Sequence, residues 1–434
     1  MLTTVDVLAA AVCVTVWLGP TVWNGLRGRW NLLHPIGFLP LMMAYHLLPP
    51  LWYRWDGDAM LKTSQLWVAD EWFLAMPVLV IAVCGVCYHA GVWLSGASLR
   101  LRAEDALEAR VRLPVMDGVS GPTLACVSCL VVVVATAMKL AMTDASEQGY
   151  YWVHLLFKGF QLAPLLVFQR SRSLGLLVLL AVLPCTLLLR SKAAFLYIPI
   201  GFILFYQTRL FALSKVTIGI LAGLLLLTPV AGALYSLNFA ESRDITDLRH
   251  LETRTWSEAI QIASAREYAV EGFACVYQWR RGHGESLYWG SKTFDDLREI
   301  TPSLLWPGKP LTYMDIPETY FPLDYRELDT HYAALFLTPV FLDFDIPGCY
   351  AFTLLIGLVL GYIYRKARDA SLSRREAWPL FLNLAVVIHA KYLIEGGLSG
   401  AIPNAFGMVC GVIMIVIGSR VLSVPAAARC GLIR

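Results

Sequence analysis

The chain alternates long apolar runs with short polar connections, and the runs have the length of a membrane crossing. Hydropathy predicts spans near residues 2–25, 31–53, 72–97, 122–143, 153–169, 174–189, 193–208, 217–237, 347–364, 379–398 and 403–423. A helix needs about 20 apolar residues to cross a ~30 Å hydrocarbon core. A membrane β-barrel would alternate polarity at every second residue, and these runs do not. The expected fold is an all-α polytopic membrane protein of about eleven transmembrane helices (roughly 10–12), with one large extracytoplasmic loop. Residues 1–237 form an amino-terminal bundle, 238–346 the loop, and 347–434 the closing helices. Residues 2–25 read as a first transmembrane helix, because no Lys or Arg precedes the apolar run and Asp6 lies near its start.

Composition agrees: 57% of the 434 residues are hydrophobic and 15% charged, against roughly 25% charged in soluble domains. The charge is sorted by side. Arg27, Arg29, Arg100, Arg102, Arg110, Arg112, Arg170, Arg172, Arg209, Lys215, Arg365, Lys366, Arg368, Arg374 and Arg375, with Arg420, Arg429 and Arg434 of the tail, fall on one set of connections. The opposite short connections hold only Arg54, Lys62, Arg190 and Lys192. The positive-inside rule puts the first set in the cytoplasm and the large loop outside. Between Asn238 and Ala334 that loop carries 10 Lys/Arg and 16 Asp/Glu. The net charge of +3 therefore gives no nucleic-acid signal.

Several ionisable groups defy the sorting. Arg190 and Lys192 sit in a tight outer connection; Lys139, Lys158, His389, Lys391 and Glu395 lie toward the outer ends of their spans. Charges at membrane depth are costly unless paired or wetted, so these are candidates for a cation-lined outer cavity. The plainer alternatives are snorkelling and, for Lys391 and Glu395, an i,i+4 ion pair. Gly219/Gly223, Gly357/Gly361 and Gly407/Gly411 predict close helix packing. The C-x-x-C pairs Cys84/Cys87 and Cys126/Cys129 lie in apolar surroundings and read as packing thiols, with no metal expected. Asp56-Gly-Asp58 reads as a solvated turn before a metal site.

The loop has its own pattern. Thr255-Trp-Ser-Glu258 has capping-box spacing, and Trp256, Ile260, Ala263, Val270, Ala274 and Tyr277 follow on one helical face. Such a helix is expected to lie on the membrane surface or roof the cavity. Arg280-Arg281 follow it, then Gly282, Gly284 and Gly290, which end helices and allow tight turns. A second apolar stretch, Tyr332 to Leu342, is expected to dip back toward the membrane before Pro347.

The run Gly290…Phe294…Ile300-Thr-Pro-Ser-Leu-Leu-Trp-Pro-Gly-Lys-Pro310 resembles the end of the large periplasmic loop in O-antigen polymerases (Wzy) and related repeat-unit polymerases. The family string is Pro-Arg-hydrophobic-hydrophobic-Trp-Pro-x-Lys-Pro, and this chain has Ser303 where Arg is frequent. Pro339-Val-Phe-Leu-Asp-Phe-Asp-Ile-Pro-Gly348 and the basic Arg190 in a short outer connection are similar to the same family. The specific match spans roughly residues 286 to 361.

The resemblance implies an inner-membrane glycosyltransferase that moves a growing glycan from undecaprenyl pyrophosphate onto a new lipid-linked repeat unit. The donor is pre-activated, so no cofactor is expected, and no Gly-rich phosphate loop is present. The implied partners are the lipid-linked repeat units, the bilayer, and a flippase and chain-length regulator of the pathway. Arginine suits a departing pyrophosphate, since its planar donors match phosphate oxygens. The candidates are Arg190, Lys192, Arg280, Arg281 and Lys309, then Lys139, Lys158 and Lys391. For the base, His331 is favoured, with His283, Glu318, Asp324 and Asp329 as alternatives. Two other functions share the layout: an O-antigen ligase using lipid A core as acceptor, and a transporter or flippase of the same lipid-linked sugar.

Overall fold

A computed structural model describes residues 4–27, 29, 31, 33–55, 74–99, 118–141, 156, 159–160, 162–188, 269–284, 286–300, 335–374, 383 and 385–431. Every regular element among them is a helix: α1 (Thr4–Leu26), α2 (Phe38–Trp55), α3 (Ala75–Leu94), α4 (Gly121–Ala141), α5 (Ala163–Arg170), α6 (Arg172–Leu188), α7 (Ala269–His283), α8 (Ser291–Ile300), α9 (Leu337–Arg374) and α10 (Ala390–Gly431). Five stretches among the described residues are long and apolar enough to cross a membrane: Thr4–Leu26, Ala75–Leu94, Gly121–Met138, Leu337–Ala370 and Gly400–Ser423. The chain is therefore a helical membrane protein. The expected spans at 193–208 and 217–237 lie outside the described residues, as does the loop's start at 238–268.

The chain gathers into two compact units. The first comprises Met1–Asp105, Ala233–Arg365 and His389–Ile402. Its centre is α1 against α3, where Trp17 and Tyr88 are fully buried and stacked with ring centroids 5.4 Å apart. Pro20 inside α1 can give no N–H to the carbonyl four residues back, that of Val16. His89 of α3 makes good the loss: its Nε2 lies 3.2 Å from the Val16 oxygen and 3.2 Å from that of Trp17. Two carbonyls as partners require that nitrogen to carry the proton. In a bilayer, where water cannot satisfy a freed carbonyl, such a substitute is needed.

The close packing predicted for Gly357 and Gly361 is observed where α9 meets α3, while Gly219 and Gly223 lie outside the described residues. A Cβ on Gly357 would collide with the Tyr88 carbonyl, one on Gly91 with that of Leu354, and one on Gly361 with Ser95. At one end of this unit the α1–α2 connection, the residues after α3 and Tyr364 converge. Asn31 donates to the Tyr364 hydroxyl at 3.0 Å, His34 meets the Tyr364 ring edge-on at 4.5 Å, and Asn24 donates to the Leu99 carbonyl at 2.9 Å. Arg365 packs against Gly96. Connections assigned to one membrane side from their arginines thus share one end of the unit.

The second unit comprises Ala106–Gly232, Lys366–Ile388 and Pro403–Arg434. Here α5 and α6 are joined through Ser171 alone, and Gly175 lets the Phe168 backbone approach, 2.5 Å from where a Cβ would stand. Gly411 faces Gly159 in the same manner, with 2.9 Å between the position of its absent Cβ and the Gly159 Cα.

One loop expectation changes. α7 is no surface-lying helix: Val270, Phe273, Ala274, Cys275, Val276 and Tyr277 are all buried, and it packs on α2 and α3. Consecutive buried positions cover more than one face, so the one-sided stripe understated how enclosed this segment is. Gly282 lies inside α7, whereas Gly284 ends it with φ 63.

Candidate functional site

Three chain segments meet within the first unit: the end of α7, the start of α8, and a break in α9. The break is at Asp345, whose φ of 58 and ψ of −162 interrupt the helix two residues before Pro347. It leaves a short helical segment, residues 337–344, buried except for Phe344, ahead of the long membrane-crossing one. The last carbonyls of a helix have no intrahelical donor and need one from elsewhere.

Arg280 supplies it. Its guanidinium donates to the Phe341 carbonyl and, at 3.0 Å, to that of Leu342, and it lies over the Phe341 ring at 5.1 Å. Only 6% of Arg280 is exposed. A cation at a helix carboxyl end is favourable by itself, and hydrogen bonds from a charged donor are stronger than neutral ones. Tyr288 adds its backbone N–H to the Leu342 carbonyl at 3.2 Å. Phe273, Tyr277 and Phe341 fill the space beneath, with Tyr277 stacked on Phe341 at 5.4 Å and Phe273 edge-on to it at 5.6 Å.

Asp343 works in the opposite sense. It is completely buried, and its two carboxylate oxygens accept the backbone N–H groups of Lys292, at 3.1 Å, and Thr293, at 2.6 Å. Those are orphan donors of the first turn of α8, so Asp343 caps a helix about 50 residues away in the chain. The turn into α8 is tight: Trp289 takes φ 51 and Gly290 φ 95, and Ser291 donates to the Tyr288 carbonyl at 3.2 Å.

Arg281 differs from its neighbour. Half exposed, it reaches Asp345 through Nη2 at 3.2 Å and lies over the Tyr277 ring at 5.6 Å. Asp345 is a third exposed, and the same oxygen accepts the Ile346 N–H at 2.8 Å. Its backbone conformation is close to one that glycine alone adopts readily, at a cost of about 1–3 kcal/mol for other residues. An exposed ion pair returns about 0.2–1 kcal/mol. Asp345 is thus a net cost to the fold.

Of the candidates named from sequence, Arg280 and Arg281 are brought to this junction, one as a buried anchor and one facing outward. His283 ends α7, stacked on Trp279 at 3.9 Å with its Nδ1 2.9 Å from the Trp279 carbonyl. Arg190, Lys192, Lys158, Lys309, Glu318 and His331 lie outside the described residues. Lys139 and Lys391 lie on α4 and α10, with side chains likewise outside the described part. Asp343 and Asp345 were given no role by sequence; the signal available was an Asp-Phe-Asp triplet directly ahead of Ile-Pro-Gly at the start of a span.

Comparison with protein-family models, curated proteins and solved structures finds no match for this chain.

Proposed function

We propose that this protein is a glycosyltransferase of the bacterial inner membrane that polymerises undecaprenyl-pyrophosphate-linked oligosaccharide repeat units on the periplasmic face. One observation carries the reading. The start of the first run that resembles repeat-unit polymerases meets the second: between Gly290 and Phe294, the backbone N–H groups of Lys292 and Thr293 donate to Asp343, while residues 301–310 of the first run lie outside the described part. The same joint holds Arg280 and presents Arg281.

In this reading Arg281 contacts the pyrophosphate of the donor and stabilises the charge that develops as it departs. Arg280 is a positioning residue, since its guanidinium is engaged by the Phe341 and Leu342 carbonyls. Arg190, Lys192, Lys309, Lys139, Lys158 and Lys391 complete the cationic surroundings, and His331 or Glu318 accepts the proton of the acceptor hydroxyl. The chemistry needs no cofactor, because the donor is already activated.

The test is the surface glycan profile of a strain deleted for this gene and rescued with wild type or Arg281→Ala. A ladder that collapses to a single repeat, returns with wild type and stays collapsed with the variant at equal protein level supports the reading. Loss of all ligated glycan while lipid-linked polymer accumulates would make the protein a ligase. Repeat units trapped on the cytoplasmic leaflet would make it a transporter.

A further inference from the structure

The Arg281–Asp345 pair combines three properties rarely found in an ion pair that serves stability. The guanidinium is half exposed, its partner is only partly buried, and the partner's backbone is strained. Adjacent Arg280 shows how this chain builds a permanent contact: buried, doubly bonded to backbone carbonyls and packed on an aromatic ring. Arg281 shares only the aromatic contact, over the Tyr277 ring, and lacks both the burial and the backbone carbonyls. Its single carboxylate contact, at 3.2 Å, is long for a charge-assisted hydrogen bond.

We infer that Arg281 is an anion-binding site occupied by the protein's own carboxylate at rest, and that the pyrophosphate of the lipid-linked substrate displaces Asp345 from it. This rests on the proposed function for the identity of the ligand. A phosphate group offers more acceptor oxygens and more charge than a carboxylate, and a guanidinium binds it through two parallel bonds. The Tyr277 ring under Arg281, 5.6 Å away, keeps the guanidinium in place while its partner changes. Asp345 retains the Ile346 N–H when Arg281 leaves it, so the carboxylate is not abandoned. The exchange is local, between one arginine and two anions.

The arrangement makes a prediction opposite in sign to that for a residue needed for binding. Removing the Asp345 charge strengthens anion binding, because a competitor is lost. The experiment measures inorganic pyrophosphate binding to the purified full-length protein in detergent, for wild type, Asp345→Asn, Arg281→Ala and the double variant. Asparagine has the shape of aspartate and keeps the Oδ1 that accepts the Ile346 N–H, so D345N keeps the turn. An exposed pair of ordinary strength corresponds to roughly two- to fivefold tighter binding by D345N, and the gain disappears when Arg281 is absent. Asp345→Gly gives the same gain with a higher melting temperature, which separates binding from folding.

Unchanged or weaker binding by D345N would overturn the inference. So would an equal gain in the Arg281→Ala background, which would mean that the negative charge acts at long range and not at this arginine. Either result leaves the glycan ladder test untouched, and a failed ladder test leaves these binding comparisons standing.

Discussion

The glycine-lined contact between α3 and α9 and the junction at Asp345 lie on the same helix, and they are held together by opposite means. Along the first, backbone meets backbone at Gly91 and Gly357, and Gly361 leaves room for the Ser95 side chain. At the second, charged side chains reach across to backbone groups stranded by helix ends, Arg280 to two carbonyls and Asp343 to two amides. Shape holds the membrane-crossing part, where dispersion and close approach are what hydrocarbon allows. Hydrogen bonding holds the part where helices start and stop, because each interruption releases polar groups that must be answered.

Substitutions can separate these two modes. The largest effect is expected at Gly357→Leu, which drives a branched side chain into the Tyr88 carbonyl. Overpacking costs about 1–3 kcal/mol even among movable side chains, and here the obstacle is backbone. The expected result is loss of the monodisperse peak in detergent size-exclusion chromatography. Next is Arg280→Ala, which leaves two buried carbonyls without their charged donor, for about 2–4 kcal/mol. Thermal melting in detergent reads it, and Arg280→Lys rescues it poorly, since an ammonium lacks the planar fork.

Asp343→Ala removes the cap of α8, at about 1–2 kcal/mol. Increased amide hydrogen exchange confined to the first turn of α8 identifies the cause. Smallest is Arg281→Ala, with under about 1 kcal/mol of stability lost and, under the proposed polymerase function, no chain extension. Arg280 and Arg281 therefore split one assay from the other: stability falls with the first, function with the second. If Arg281→Ala melts as early as Arg280→Ala, the contrast between the two neighbours is wrong.

The five described stretches that can cross a membrane were legible because a single quantity, apolar length, fixes them. Residues 347–364 were expected as a span and lie within α9, and the spacing of Gly357 and Gly361 foretold their role. The junction was legible only in part. Arg280 and Arg281 stood out as charges beside an apolar stripe, but nothing local distinguishes them; their separate fates depend on partners 61 to 64 residues away in the chain. Asp343 and Asp345 lie within a family-like run that shows no role for them, since a cap supplied from a distant segment leaves no spacing signal. The helix expected from Thr255 is described only from Ala269, and there it is buried and packs on α2 and α3. Its apolar face predicts one partner, and α7 has partners on more than one side.

The glycine contact also sets a schedule for synthesis. α3 leaves the ribosome about 260 residues before the part of α9 that fits it, an interval of roughly 10–50 s at ordinary elongation rates. For most of that time α3 has α1, through Trp17 and His89, as its described companion from the chain already made, until α7 emerges. A ribosome stalled anywhere in the intervening stretch would release a chain with that groove still open to lipid.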